Sequence, residues 1–421
     1  MDQQIIDKAN YCLNCINKPC STKGCPMHTQ IPEFITKIKN GELHDAYRIL
    51  KENNMFSYIC ALICPQEEQC EGSCIRGIKQ EPTQIGFLEK FVNEWAIENN
   101  CVIEYTKKDS IDKKIAIIGG GPAGLECAFI LLLAGCDVTI YEKEEQLGGI
   151  LTYGIPDFRL DKKIVNDVID TIKNLGATIC TNVELGKDIQ LSSLQDEYDA
   201  IFLGIGAYKS QQYSLYEKEI DGIYLSDEFL KRYAKNNYIP DLGKVVIIGG
   251  GNVAMDCSRV ALKMGASESK ILYRRDEAHM PARKIELADA IADGVKWHEK
   301  VRVISANVEN GKLVSLNCIR TEIVDGKAVD IPESEFVEEA DSVVFAIGLK
   351  PNKELLEAQG IELDDYGMIK IDEYGRTSLD KIYTGGDTVQ SRATVCRAIA
   401  DGRNAAKSML KRWDVDYLAN L

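Results

Sequence analysis

One short pattern occurs twice in this chain and narrows its possible folds to a small set: an apolar strand, a glycine-rich turn and a helix that begins on the turn. Lys114-Ile115-Ala116-Ile117-Ile118 runs into Gly119-Gly120-Gly121-Pro122-Ala123-Gly124 and an apolar helical stretch through Ala134. Lys244-Val245-Val246-Ile247-Ile248 runs into Gly249-Gly250-Gly251-Asn252-Val253-Ala254 and a helical stretch through Met264. In such a unit the first glycine permits the tight turn and the second lets the backbone approach a pyrophosphate. The third small residue lets the helix pack on the strand. The helix N-terminus then offers free N–H groups and the positive end of its dipole to phosphates. A glycine-rich turn can serve packing alone, but strand, glycines, helix and second strand in register favour a bound nucleotide in each unit.

The two units part company at the end of their second strands. Asp137-Val138-Thr139-Ile140-Tyr141 ends in Glu142, whose carboxylate can accept from both hydroxyls of an adenosine ribose, as the adenosine of FAD requires. Lys270-Ile271-Leu272-Tyr273 ends instead in Arg274-Arg275, where guanidinium forks suit a 2′-phosphate, so NADP(H) is favoured over NAD(H). The plainer alternative is an arginine covering a strand end, with Asp276 and Glu277 weakening the local positive field. A third glycine-rich point, Tyr383-Thr384-Gly385-Gly386-Asp387, precedes a helix that starts at Thr394-Val395. It lacks a full fingerprint and reads as the chain returning to the first nucleotide domain. There Asp387 can accept from the ribityl chain of FAD and the helix can aim its N-terminus at the isoalloxazine; the alternative is a turn or capping residue.

Of the 15 cysteines in this 421-residue chain, eight fall between Cys12 and Cys74. A formal charge of −15 disfavours a nucleic-acid partner. No apolar run approaches the roughly 20 residues needed to span a bilayer, and the N-terminus has no basic stretch leading into an apolar one. A cytoplasmic location is therefore expected, where thiols stay reduced and dense cysteines point to metal rather than disulfides. The spacing Cys12-x2-Cys15-x4-Cys20-x4-Cys25-Pro26, then Cys60-x3-Cys64-Pro65-x4-Cys70-x3-Cys74, suits iron–sulfur ligation. Four-cysteine zinc sites come as two close pairs, a pattern that only some of these gaps follow. Spacing alone does not pair eight cysteines into two clusters. The other seven, including Cys127 and Cys136, read as small buried hydrophobes. Cys257 and Cys318 stand alone, so the nicotinamide unit has no Cys-x-x-Cys pair for a thioredoxin reductase-type disulfide mechanism.

These cysteines, Gly119 to Gly124, the stretch Gly148-Gly149-Ile150-Leu151-Thr152-Tyr153-Gly154-Ile155-Pro156, Phe158-Arg159-Leu160, Gly251-Asn252-Val253-Ala254-Met255-Asp256 and Gly385-Gly386-Asp387 together carry a resemblance. Over nearly its whole length the chain resembles the small subunit of glutamate synthase. It is similar, by the same module, to the N-terminal part of dihydropyrimidine dehydrogenase and to the large subunit of NADH-dependent ferredoxin:NADP oxidoreductase. The resemblance implies one 4Fe–4S cluster on Cys12, Cys15, Cys20 and Cys74. It implies a second on Cys25, Cys64 and Cys70 with Glu89 as a non-cysteine fourth ligand, leaving Cys60 out. The gap between Cys20 and Cys25 is one residue longer than the family's, which puts the local loop in doubt. The resemblance further implies FAD contacts from Lys143, Arg159 and Leu185, with the Gly149 stretch beside the flavin, and NADPH contacts from Asn252, Val253, Arg274 and Arg275.

The expectation is an α/β chain of two Rossmann-like domains, the NADPH domain inserted in the FAD domain, preceded by a helical iron–sulfur domain. Boundaries are expected at 1–110 for the helical domain, 111–207 and 345–421 for FAD, and 208–344 for NADPH. Hydride transfer from NADPH to FAD needs no acid–base residue, so none is assigned. No barrel, FMN segment or N-terminal nucleophile is visible, so the terminal reaction is expected on a partner. That partner is expected to be a glutamate synthase large subunit. Alternatively, the chain is a subunit of an electron-bifurcating NADH-dependent ferredoxin:NADP transhydrogenase with a ferredoxin reductase partner, or the electron-input subunit of a dihydropyrimidine dehydrogenase. A zinc-bearing redox-sensing scaffold is the reading from a different class.

Overall fold

A computed structural model describes residues 2–207, 209–210, 220–389 and 394–415. The chain divides into two compact units, one of Met1–Thr152, Phe158–Ala207 and Pro351–Leu421, the other of Tyr153–Asp157 and Tyr208–Lys350.

The first unit is organised on a parallel sheet in the spatial order Ile382–Thr384, Ala200–Leu203, Lys114–Ile118, Asp137–Glu142, Thr178–Thr181. Ile115 to Ile118 are all buried, the continuous apolar run expected of a strand covered on both faces. From Lys114–Ile118 the chain moves outward through the next two strands and then crosses back to Ala200–Leu203 on the other side. The carboxyl ends of the two central strands therefore flank a topological switch point, where open α/β sheets bind ligands. The Pro122–Leu133 helix starts there, with Gly121 as N-cap and every residue buried. Its other face is covered by the Val395–Arg412 helix. A Cβ on Gly402 would run into the carbonyl oxygen of Ala123, so the two helices cross with backbones touching.

The cysteine-rich segment of this unit is helical, with Gln3–Asn10, Ile31–Lys39, Leu43–Asn53, Ser57–Ile63 and Ile85–Glu98 around a small core that includes Phe34, Ile35, Ile38, Leu50, Leu88 and Val92. The sequence from Ile31 to Leu50 reads as one helical run, but it forms two helices, Ile31–Lys39 and Leu43–Asn53. Gly41, at φ +77°, turns the chain between them.

In the second unit, a parallel sheet has the order Ile223–Leu225, Ser342–Phe345, Lys244–Ile248, Glu268–Tyr273, Lys296–Glu299. The Asn252–Lys263 helix follows its glycine turn as Pro122–Leu133 follows the first. A three-stranded antiparallel meander, Val301–Glu309, Lys312–Val324 and Lys327–Glu339, adds a layer that the reading of the sequence did not foresee. Along Lys327–Glu339 half-buried and exposed residues alternate, the pattern of a strand solvated on one face. Among the described residues no helix is long and apolar enough to cross a membrane.

Candidate functional site

At the switch point of the first sheet, the turn residues have separate structural duties. Gly119 adopts φ +101°, and a Cβ there would strike the Gly204 carbonyl oxygen, while one on Gly124 would strike that of Gly119. Gly121, capping Pro122–Leu133, meets Gly149: a Cβ on Gly149 would lie 2.9 Å from the Gly121 Cα. The Gly148 N–H donates to the Gly120 carbonyl at 2.7 Å, so the second glycine stretch closes on the first. Gly386, at φ +75°, would bring a Cβ to 3.4 Å from the Cβ of Ala123. Gly119, Gly121, Ala123, Gly124, Gly149 and Gly386 thus form one contiguous surface.

Glu142 ends the Asp137–Glu142 strand, 6% exposed. Its Oε2 accepts from the Gly120 N–H at 2.8 Å and its Oε1 from the Glu144 N–H at 2.9 Å. Burial raises its carboxyl, opposed by those two bonds and by Lys143. The carboxylate therefore also braces the turn. Arg159 is half-buried just ahead of the Lys162–Asn174 helix. Leu185 is placed differently from the rest: its side chain is 5% exposed and lies in the apolar core with Ala116, Ile118 and Leu203. Only its backbone is left to face a ligand.

The returning strand brings the remaining residues. Ile382, Tyr383 and Thr384 pair with Ile201, Phe202 and Leu203. Asp387 follows in a single 3-10 turn, Gly386–Thr388, its carboxyl pushed up to about 6 by burial and by the neighbouring Asp401. Thr394 caps the Val395–Arg412 helix by accepting from the Arg397 N–H, and Val395 is its first residue. Gln69, from the cysteine-rich segment, donates to Thr394 Oγ1 at 3.2 Å.

In the second unit a Cβ on Gly249 would strike the Ala346 carbonyl oxygen and one on Gly250 the Tyr273 ring, whereas Gly251 faces open space. Ala254 is buried in the first turn of Asn252–Lys263 beside Val253. Asn252 Oδ1 accepts from the Arg283 N–H at 3.0 Å, fixing the helix start. Arg274 is exposed. Arg275 Nε donates to Tyr273 Oη at 2.9 Å. Asp276 is engaged locally, Oδ1 lying 2.6 Å from His279 Nδ1, and that contact lowers its carboxyl.

The cysteines gather into two groups. Cys12, Cys15, Cys20 and Cys74 line one cavity with apolar neighbours such as Leu13, Ile31, Ile35 and Ile75. Burial pushes the Cys20 thiol up to about 11, with Cys12 and Cys74 adding to the effect. The Thr83 N–H points at Cys74 Sγ, 3.5 Å away. The extra residue between Cys20 and Cys25 is absorbed by a π-helical turn, Cys20–Gly24, in which the Cys25 N–H donates to the Cys20 carbonyl at 2.8 Å.

The second group is buried and larger than expected. The Sγ atoms of Cys60, Cys64 and Cys396 all lie within 4.8 Å of one another. A hydrogen bond from Cys396 holds the Cys25 thiol down to about 6. Glu89 is buried, its carboxyl raised well above the usual range by desolvation and by the fields of Cys60 and Cys25. Cys70 is raised by burial and by Glu89. Lys51 is the neighbouring cation, its ammonium pulled down to about 8 by burial against the attraction of Asp167 and Glu89. Cys60, expected outside the ligand set, lies beside the group, and Cys396, read as a small buried hydrophobe, is buried but has its Sγ against those of Cys60 and Cys64. No local signal marks Cys396, because its partners lie at the other end of the chain. Both groups offer the clustered soft thiolates that suit iron–sulfur centres.

Comparison with known proteins relates the chain to described families. Residues 113–402 match the model of the pyridine nucleotide-disulphide oxidoreductase family, and residues 1–101 match that of dihydropyrimidine dehydrogenase domain II, 4Fe-4S cluster. The glutamate synthase [NADPH] small chain of Escherichia coli is 34% identical over 431 residues, covering 97% of this chain and 91% of that protein. The NADP(+)-dependent formate dehydrogenase subunit beta of Moorella thermoacetica is 35% identical over 425 residues, 94% of this chain and 60% of that protein. Among solved structures, FprA of Mycobacterium tuberculosis in complex with NADPH superposes with a TM-score of 0.61 at 20% identity, over 72% of this chain and 85% of that one, a likeness of fold.

Proposed function

The chain belongs to the glutamate synthase small-chain family of pyridine nucleotide-disulphide oxidoreductases, and from that premise we propose that it is an NADPH-dependent flavin and iron–sulfur oxidoreductase that supplies electrons to a partner protein. FAD would lie at the first switch point, its pyrophosphate on the Gly119–Gly124 turn and its ribityl chain at Asp387. NADPH would lie at the second glycine turn, its 2′-phosphate between Arg274 and Arg275. Cys12, Cys15, Cys20 and Cys74 would hold one 4Fe–4S cluster, and Cys25, Cys64, Cys70 and Glu89 the other. When bound, these groups supply a two-electron acceptor for the hydride of NADPH and a one-electron path onward.

The residues themselves bind and orient. Gly251 leaves room for a phosphate and the Asn252–Lys263 helix offers it free N–H groups. With FAD bound as proposed, the N-terminus of Val395–Arg412 would face the isoalloxazine and stabilise negative charge on the reduced flavin. The observation that carries the reading is the Gln69–Thr394 bond, which ties the cysteine-rich segment to the start of that helix.

The exit would be at the first cysteine group. Leu13, Ile16 and Ile78 around it are 50%, 100% and 76% exposed. The stretches Cys12–Cys25 and 75–80 carry Lys18, Lys23, Arg76 and Lys79, with Lys18 paired to Glu33 and Glu81 next in the chain, in a chain of net charge −15. Such a face suits a partner with an acidic rim around its own redox centre.

Anaerobically purified protein tests the proposal. It should contain flavin, iron and acid-labile sulfide, lose its flavin absorbance on addition of NADPH, and support NADPH-dependent glutamate synthase activity when a glutamate synthase large chain is added. A flavin that stays oxidised under excess NADPH would refute the oxidoreductase reading; reduction without activity alongside the large chain would refute the partner.

A further inference from the structure

Cys396 is the second residue of the Val395–Arg412 helix and 2% exposed. Its Sγ lies within 4.8 Å of those of Cys60 and Cys64, and it is among the groups that lower the Cys25 thiol. Two further bonds hold the helix on the cysteine-rich segment: Gln69 to Thr394 at 3.2 Å, and Arg403 Nη1 to the Asn53 carbonyl at 2.7 Å. The thiol is therefore pinned in place.

Cys25, Cys60, Cys64, Cys70, Cys396 and Glu89 together exceed the four ligands that a four-iron cluster takes. Some must act otherwise. In the proposed function Cys25, Cys64, Cys70 and Glu89 hold the cluster, which leaves Cys60 and Cys396 over. Cys396 comes from a different part of the chain, and its Sγ lies within 4.8 Å of that of the ligand Cys64.

We propose that Cys396 is a positioning residue that donates its S–H to ligand sulfurs of the second cluster, so that the helix serving the flavin also sets the reduction potential of the centre beside it. This rests on the reading that the cysteine-rich segment holds iron–sulfur clusters. A donor to cluster or ligand sulfur stabilises the reduced, more negative state and raises the potential. Through Cys396 the flavin-side helix and the cluster would be read as one electron-transfer element rather than two neighbours.

The test uses full-length holoprotein: wild type, Cys396→Ala and Cys396→Ser, with iron, sulfide and flavin counts and an EPR-monitored redox titration. The alanine variant should keep the wild-type iron and flavin content while one cluster shifts to a more negative potential and the other stays put. The serine variant, which keeps a donor, should fall closer to wild type. Unchanged potentials in the alanine variant would overturn the proposal, and so would loss of one cluster's iron, which would make Cys396 a ligand. Should the alanine variant fail to fold, Cys396→Val, which fills the space without a donor, takes its place: a more negative potential for one cluster supports the donor, and unchanged potentials overturn it. Wild type devoid of iron and sulfide would sink the cluster reading itself, an outcome the metal count separates from all the others.

Discussion

Replacing Arg403 by methionine should cost more than any other single change at the helix crossing. Glu126 lies in the middle of Pro122–Leu133, fully buried among apolar residues. Arg403 answers it with Nε at 2.7 Å and Nη2 at 2.6 Å from Oε1, and donates from Nη1 to the Asn53 carbonyl. Burial still raises the Glu126 carboxyl despite that partner. Removing the guanidinium strands a charge in the core, a loss of about 3–5 kcal/mol from a domain stability on the order of 5–15 kcal/mol. The sign with pH follows. In Arg403→Met the folded carboxyl binds its proton more tightly than the unfolded one. The destabilisation is therefore full above the raised folded value and fades as pH falls toward the ordinary glutamate range. Chemical denaturation of wild type, Arg403→Met and the double variant Glu126→Gln/Arg403→Met, at pH 7 and pH 5, measures this. The single variant should be weakest at pH 7, and the double variant should regain most of the loss because no charge is left unpaired. A single-variant loss under about 1 kcal/mol, or one indifferent to pH, would refute the reasoning.

Two other outcomes are expected. Because the folded carboxyl of Asp387 is raised from 3.8 to about 6, ionising it in cofactor-free protein costs on the order of 3 kcal/mol, present above pH 6 and absent below about pH 4; Asp387→Asn should raise the melting temperature of flavin-free protein at pH 7 and not at pH 4, while weakening FAD retention on gel filtration. Arg274→Glu/Arg275→Glu should raise KM for NADPH about 10- to 100-fold, the worth of one or two charge-assisted hydrogen bonds, and leave KM for NADH nearly unchanged in a ferricyanide reduction assay; equal losses for both nucleotides would refute the assignment of the 2′-phosphate.

What could be read from the sequence was local. Gly119 and Gly124 announce themselves because their requirement, a positive φ or a missing Cβ, is met by one residue type at one place. Strand boundaries at Lys114–Ile118 and Lys244–Ile248 follow from apolar runs of strand length. The break at Gly41 was legible in principle, since a glycine followed by Glu42 interrupts the helical pattern, but periodicity across it concealed the stop. The π turn at Cys20–Gly24 was not legible, because an i to i+5 bond leaves no mark in composition.

The long-range partners had no such mark. Thr394, Cys396 and Arg403 all follow the Ile382–Thr384 strand, and each meets a residue far back in the chain: Gln69, Cys60 and Cys64, and Glu126. None of these pairs has a spacing that a pattern could detect. All are delivered by one event, the pairing of Ile382, Tyr383 and Thr384 with Ile201, Phe202 and Leu203. Once that three-residue register is set, the helix beginning at Thr394 must run back across Pro122–Leu133, and Gly402 lets it approach closely enough for Arg403 to reach Glu126 and Cys396 to reach the thiols. The electron path proposed here is therefore a property of the topology. A short, weakly patterned strand at the sheet edge decides whether the flavin side and the cysteine side of the molecule meet, and the chemistry that depends on their meeting is written in residues that look ordinary until it does.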